Sequence, residues 1–300
     1  MREIRNDQDP LSQLFNVEKE FMPPSIYAET FLFHAFRKIA TSFIETNSEC
    51  DNFDAFIPYL AMNYIDRFVS TRDIPIVIRR PASKNTYLFL TCCLTIASKM
   101  RNDSFKLSEF LKNRRHLQFE TKDVSQMELS ICAGLQWKMR SVTSICFADY
   151  FINLLPRSPT RPFLLRFVHH LIVISQGDIE LTKYSPSLVA ASAVLVASTK
   201  LFPANYDEFK RLILSSEHIC THCLEEVSKC IETIEPLCWD SSNAASSSSA
   251  VSPGVKLDRD EQMNFKLNWT ALTWGEDDES DDGSSRKRAA QCFLSFIVNN

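Results

Sequence analysis

The stretch Cys92-Cys93-Leu94-Thr95-Ile96-Ala97-Ser98-Lys99 has a counterpart one hundred residues later, Ser192-Ala193-Val194-Leu195-Val196-Ala197-Ser198-Thr199-Lys200, with Ala97-Ser98 aligned on Ala197-Ser198. Both stretches are rich in small side chains and apolar nearly all round. A helix of that composition belongs at the centre of a bundle, where small side chains let neighbours approach closely. Two such centres suggest two helical bundles in tandem. Two unrelated Ala/Ser-rich helices would give the same pattern, so the repeat alone leaves the number of bundles open.

The surrounding composition is helical too. The chain of 300 residues has 5 glycines, only Gly134 and Gly177 before residue 254, where about 21 would be usual. Sheets, tight hairpins and phosphate-binding loops depend on glycine, and no G-x-G-x-x-G, G-x-x-x-x-G-K-[ST] or G-x-S-x-G is present. From Val17 to Trp239 the apolar periodicity is that of helix after helix, cut by Pro23-Pro24, Pro75, Pro81, Pro156, Pro159, Pro162 and Pro203. Ser185-Pro186 reads as a helix start, with Ser as N-cap and Pro in the first turn. Residues 1–16 read as a flexible leader. After Trp239 the chain turns to Ser241-Ser242-Asn243-Ala244-Ala245 and a serine run, then to the acidic Glu276–Asp282. Residues 240–300 therefore read as a disordered Ser- and acid-rich tail, with too little apolar surface to offset its chain entropy.

Charge and cysteine narrow the function classes. Residues 241–300 carry a net −3 of the chain's −4, leaving −1 for the body, which argues against broad nucleic-acid contact. No apolar run reaches 18 residues and the first sixteen residues hold no signal stretch, so a membrane or secretory role is not expected. Ten cysteines then read as reduced, mostly buried thiols. The cluster His218-x-Cys220-x-His222-Cys223, with Cys230 beyond, could suggest zinc. Cys223, Val227 and Cys230 follow helical spacing, however, and read as core thiols. No cofactor or metal is expected. His169-His170, between Val168 and Leu171, has no matching acid at helical spacing and does not support an enzyme.

Charges also fall where a core should be. Arg37 lies in the series Phe33, Ala40, Ile44, and Asp66 lies within the stripe Tyr59, Met62, Val69. On successive antiparallel helices they can meet as a buried pair, whereas periodicity alone also allows two surface charges. Tyr87, Leu90, Leu94 and Ala97 form the expected buried stripe of the next helix. Leu88 and Lys99, eleven residues apart, share a different face, and a mixed apolar and cationic face suits docking better than a core. Val124, Met127, Ile131 and Leu135 point inward on a further helix, with Glu128 to one side.

At these residues the sequence resembles the cyclin box. Ala61-Met62-Asn63-Tyr64-Ile65-Asp66-Arg67-Phe68-Val69-Ser70 is similar to its second helix and Leu94–Met100 to the end of its third. Leu135-Gln136-Trp137-Lys138-Met139-Arg140-Ser141-Val142-Thr143 resembles the plant D-type cyclins. The resemblance implies an all-α protein of two tandem five-helix cyclin folds, at 17–140 and 141–239. The family's five signature positions fall on Arg37, Asp66, Leu88, Lys99 and Glu128, all identical. It implies an internal Arg37–Asp66 pair and a kinase-binding face with Lys99, Glu128 and Leu88. The family's substrate-docking patch is degraded here, at Phe36, Arg37, Ile39, Ala40 and Phe43, with Phe, Ala and Phe in place of Met, Leu and Trp. Gln126 replaces a usual Arg, and Ile74 to Asn85 is longer than usual. The Leu-x-Cys-x-Glu pentapeptide that binds retinoblastoma-related proteins is absent from the chain, as in a divergent subgroup of the family.

What the resemblance implies is a regulatory subunit, not an enzyme, that binds and activates a cyclin-dependent kinase and so controls cell division. Kinase inhibitors and substrates would be further partners. The alternative is a cyclin-fold transcription adaptor, which a basic stripe would support and the near-neutral body does not. Ser285-Arg286-Lys287-Arg288 could serve as a nuclear address, giving an expected location in nucleus and cytoplasm. Ser158-Pro159, Ser185-Pro186 and Ser252-Pro253 fit proline-directed phosphorylation, the second being explained equally by a helix cap.

Overall fold

The computed structural model describes residues 10–48, 54, 56–76, 81–114, 116–219 and 223–246. Among them are eleven α-helices and no strand. Helix α1 (Pro10–Val17) leads into 3-10 turns at Glu18–Phe21 and Ser25–Glu29. Helices α2 (Phe31–Ser48), α3 (Phe56–Val69), α4 (Ala82–Arg101), α5 (Leu107–Asn113) and α6 (Thr121–Gly134) build one bundle. Helices α7 (Ile145–Asn153), α8 (Arg161–Ser175), α9 (Pro186–Leu201), α10 (Tyr206–Leu214) and α11 (Leu224–Ser246) build a second.

The two Ala/Ser-rich stretches lie in α4 and α9, the centre of each bundle. Helix α4 packs against α2, α3 and α6, and α9 against α7, α8, α10 and α11. Every residue of α9 from Pro186 to Ser198 is buried. The repeat extends to individual bonds. Ser98 Oγ donates to the Leu94 carbonyl at 2.9 Å, and Ser198 Oγ to that of Val194 at 2.7 Å. Cys92 Sγ donates to the Val124 carbonyl of α6, and Ser192 Oγ to the Val227 carbonyl of α11. Small polar side chains thus sit inside each core with their hydrogen bonds met, as buried donors must be.

Three expectations change. The leader is helical from Pro10, and its Phe15 is set among Phe147, Tyr150 and Phe151 of α7 and stacked on His218 at 3.8 Å. Apolar burial against the second bundle orders a segment whose own sequence is too short and polar to fold alone. Helix α11 runs past Trp239 to Ser246, because extending an anchored helix needs no new nucleus. The rest of the expected tail, 247–300, lies outside the described residues.

The third change concerns α9. Ser185 stands at its N-cap but makes no capping bond. Glu18 caps the helix instead: its carboxylate accepts the Ser187 N–H at 2.7 Å and the Ser187 hydroxyl at 2.8 Å. Burial raises the Glu18 pKa, and the two Ser187 bonds oppose that rise.

Cys230 and Val227 are buried and Cys223 partly so, while Cys220 and His222 lie outside the described residues. Among the described residues no three His, Cys, Asp or Glu side chains group as metal ligands, and no helix is long and apolar enough to cross a membrane.

Candidate functional site: two charged pairs and a docking face

Arg37 on α2 and Asp66 on α3 meet inside the protein. Arg37 Nε and Nη2 each donate to one Asp66 oxygen at 3.0 Å, a bidentate geometry, with side chains only 2% and 4% exposed. The remaining lone pairs are used as well. Tyr27 donates its hydroxyl to Asp66 Oδ1 at 2.7 Å, and Arg37 Nη1 donates to the Gly177 carbonyl, beyond α8, at 3.1 Å. Burial lowers the Arg37 pKa, but the Asp66 carboxylate outweighs it and the net direction is up. Arg37 therefore joins α2, α3 and the second bundle in one network. Tyr59 of α3 enters the second core and Ile179 the first, so the bundles interlock at this seam.

The other pair is at the surface. Lys99, in the last turn of α4, donates to both oxygens of Glu128 on α6, at 2.7 and 2.6 Å. Thr95, one turn before Lys99, donates its hydroxyl to Glu128 Oε1 at 2.7 Å. The Lys99 side chain is 42% exposed and that of Glu128 12%. Glu128 is thus held from below by a buried threonine while Lys99 presents its charge outward.

Sequence reasoning missed the apolar surface beside this pair. Met100, next to Lys99, and Leu129, next to Glu128, are both exposed, and Trp137 is 64% exposed. Met100 and Trp137 line one groove of about 490 Å3 with Val17, Phe21 and Met139. The turn that carries Trp137 is tightly held. Helix α6 ends with Trp137 N–H donating to Cys132 carbonyl and Gln136 N–H to that of Ala133, the bonding of a Schellman cap. Gln136 and Trp137 both have positive φ, 54° and 61°, a conformation that glycine adopts more readily. Arg67, largely buried, donates to the Lys138 carbonyl and Ser141 hydroxyl, and Tyr64 donates to the Met139 carbonyl at 2.6 Å. Leu129 was legible as an apolar residue outside the inward stripe of α6; Trp137 had no such signal.

Other expected residues fall elsewhere. Leu88 shares the angular face of Lys99 three turns away but is no part of an exposed surface: it is fully buried in the first core, because α4 is enclosed on every side between Leu88 and Ala97. Tyr87, expected inside, is 43% exposed near the start of α4. Of the degraded docking patch, Phe36, Arg37, Ala40 and Phe43 are buried and Ile39 is half-buried, so those four side chains offer almost no surface to a ligand. His169 lies edge-on to Phe56, and burial lowers the pKa of both His169 and His170.

The cyclin N-terminal domain family matches residues 9–140 and the cyclin C-terminal domain family residues 142–264. The chain is 30% identical over 235 residues to cyclin-D6-1 of Arabidopsis thaliana, covering 74% of this chain and 73% of that protein. It is 26% identical over 256 residues to cyclin-D6-1 of Oryza sativa subsp. japonica, covering 83% and 77%. The solved structure of a viral cyclin from herpesvirus saimiri superposes with a TM-score of 0.61 at 17% identity, over 75% of this chain and 95% of that one, a likeness of fold. Two tandem domain matches and a relative aligned along most of its length have one reading: the chain belongs to the cyclin family, among its plant D-type members.

Proposed function

We propose that this protein is the regulatory subunit of a cyclin-dependent kinase, docked through the face that carries Lys99 and Glu128, and that it promotes cell-cycle progression. The observation that carries the reading is the juxtaposition at that face. A surface ion pair, braced from inside by Thr95, has exposed Met100 and Leu129 as its neighbours along α4 and α6, and Met100 shares a groove with exposed Trp137. Large apolar side chains around a fixed charge are what a specific protein interface uses, the aromatic acting as an anchor and the charges setting register. The subunit supplies no catalytic group. By packing against the kinase αC helix it holds that helix inward, so the kinase's own Lys–Glu pair and metal-binding Asp align on the phosphates.

Docking at Arg-x-Leu substrates through α2 is not part of this reading, since Phe36, Ala40 and Phe43 are buried. Nor is retinoblastoma-related binding through Leu-x-Cys-x-Glu, which the sequence lacks. The nucleus is the proposed place of action, with Ser285–Arg288 as its address; replacing Arg286, Lys287 and Arg288 by alanine should move a fluorescent fusion to the cytoplasm. The docking reading is tested by a pull-down and histone-kinase assay with a cyclin-dependent kinase. Leu129→Arg should abolish capture and activation while the melting temperature stays near wild type. Full activation by that variant would sink the proposed face.

A further inference from the structure

The chain has Ser-Pro dipeptides at residues 158, 185 and 252, and the structure separates them. Pro186 is buried at the start of α9 and Ser187 beside it is bonded to Glu18, so no kinase can bring the Ser185 segment into an extended form without opening the second core. Ser252 lies outside the described residues. Ser158 is different. It sits in the irregular segment between α7 and α8, where Pro156, Arg157, Pro159 and Thr160 are exposed and Ser158 half-exposed. Its hydroxyl contacts only Thr160, through the side chain at 2.7 Å and the backbone N–H at 3.3 Å. Both bonds are local and solvent-accessible, as are the Arg161 N–H bond to the Ser158 carbonyl and the Arg161 guanidinium bond to Asn153 of α7, so presenting Ser158 to Arg161 in extended form frays the first turn of α8 at the surface and opens neither core.

The neighbours of Ser158 carry their own information. Proline at the following position has no N–H, so it enters a substrate groove that leaves any other residue's amide unpaired. Arg161, three residues after Ser158, supplies a cation on the same side of the phosphorylated residue. Between Asp149 and Asp178, the acids that bound it, the chain has Arg157, Arg161 and Arg166 and no acidic residue, +3 over residues 150–177 in a chain of −4.

We propose that Ser158 is a phosphorylation site for a proline-directed serine/threonine kinase that reads Pro159 and Arg161. The Ser158 oxygen attacks the γ-phosphorus of ATP and the bond from that phosphorus to the bridging oxygen breaks. ADP leaves, and the hydroxyl proton passes to the kinase's catalytic aspartate and on to solvent. The phosphate brings about −1.5 to −2 charges between Arg157 and Arg161, which takes the 150–177 surface from +3 to about +1.

The probe is a cyclin-dependent kinase already activated by a different cyclin, added with ATP to the full chain, so labelling does not need this chain's own docking face. Intact-mass measurement and phosphopeptide mapping should place phosphate on Ser158 and none on Ser185. Pro159→Ala and Arg161→Ala should each slow labelling of Ser158 by about tenfold, one ordinary contact, and Arg161→Lys should restore most of it. Thermal melts confirm that each variant is folded. The Lys99→Glu/Glu128→Lys chain should be labelled at the wild-type rate, which separates this site from the docking face. Absence of phosphate on Ser158, or equal labelling of the Pro159→Ala variant, would overturn the proposal.

Discussion

Arg37–Asp66 and Lys99–Glu128 are the same chemistry used in opposite ways. Each is a cation on one helix reaching both oxygens of an acid on another, at 2.6–3.0 Å. The first is buried at 2% and 4% exposure, with Tyr27 and Gly177 completing its bonds, whereas the Lys99 side chain is 42% exposed. A buried charge without its partner retains the full desolvation penalty; an exposed one is rehydrated. Distance alone therefore says nothing about role. Burial decides that one pair holds the fold and leaves the other free to meet a partner.

The largest expected effect comes from breaking the buried pair. Arg37→Ala strands Asp66 and should cost about 3–5 kcal/mol, seen as a large drop in melting temperature or loss of soluble protein. Arg37→Met with Asp66→Leu should recover part of that loss, since apolar replacement removes both charges. Gly134→Ala should come next. A Cβ there would stand 2.3 Å from the Phe68 ring, inside a buried contact, and overpacking of this kind costs about 1–3 kcal/mol. Lys99→Glu with Glu128→Lys should cost about 1 kcal/mol or less, chiefly the lost Thr95 bond, yet abolish kinase capture. If this double variant unfolds while Arg37→Ala is neutral, the contrast between the pairs is reversed.

The smallest effect is a pH dependence. His169 and His170 have folded pKa values lowered from 6.5 by burial. Below about 6.5 the unfolded chain then binds more protons than the folded one, so acidification should reduce stability. The fall in melting temperature between pH 7.5 and 5.5 should be shallower in His169→Leu/His170→Leu. An equal slope in both proteins would assign the acid sensitivity to other groups.

Much of the architecture was legible because helical periodicity is strong where one face is apolar. Val124, Met127 and Ile131 are the buried row of α6, continued by Leu135 at its C-cap, and Ala40, Ile44, Met62 and Val69 mark the faces on which Arg37 and Asp66 meet. The same reasoning failed on α4, where residues Leu88 to Ala97 are buried all round. With no polar face to set the phase, Tyr87 and Leu88 were exchanged. The cap of α9 was unreadable for another reason: Ser185 satisfies every local rule, and the group that takes its place lies 169 residues before the Ser187 it bonds. The exposure of Trp137 follows from a turn fixed by Tyr64 and Arg67, contacts that sequence spacing does not encode.

The Glu18–Ser187 bond has a consequence during synthesis. The chain is made from its N-terminus at about 5–20 residues per second, so Glu18 leaves the ribosome on the order of 10–30 s before Ser187 exists. In that interval the first bundle can fold, while Phe15 and Glu18 lack the second-bundle partners on which they settle. The second bundle is then completed by a segment that emerged before the first. A chain initiated at Met22 would contain all ten bundle helices and neither α1 nor Glu18. Such a product would be born with α9 uncapped and the aromatic socket of α7 open to whatever protein it met next.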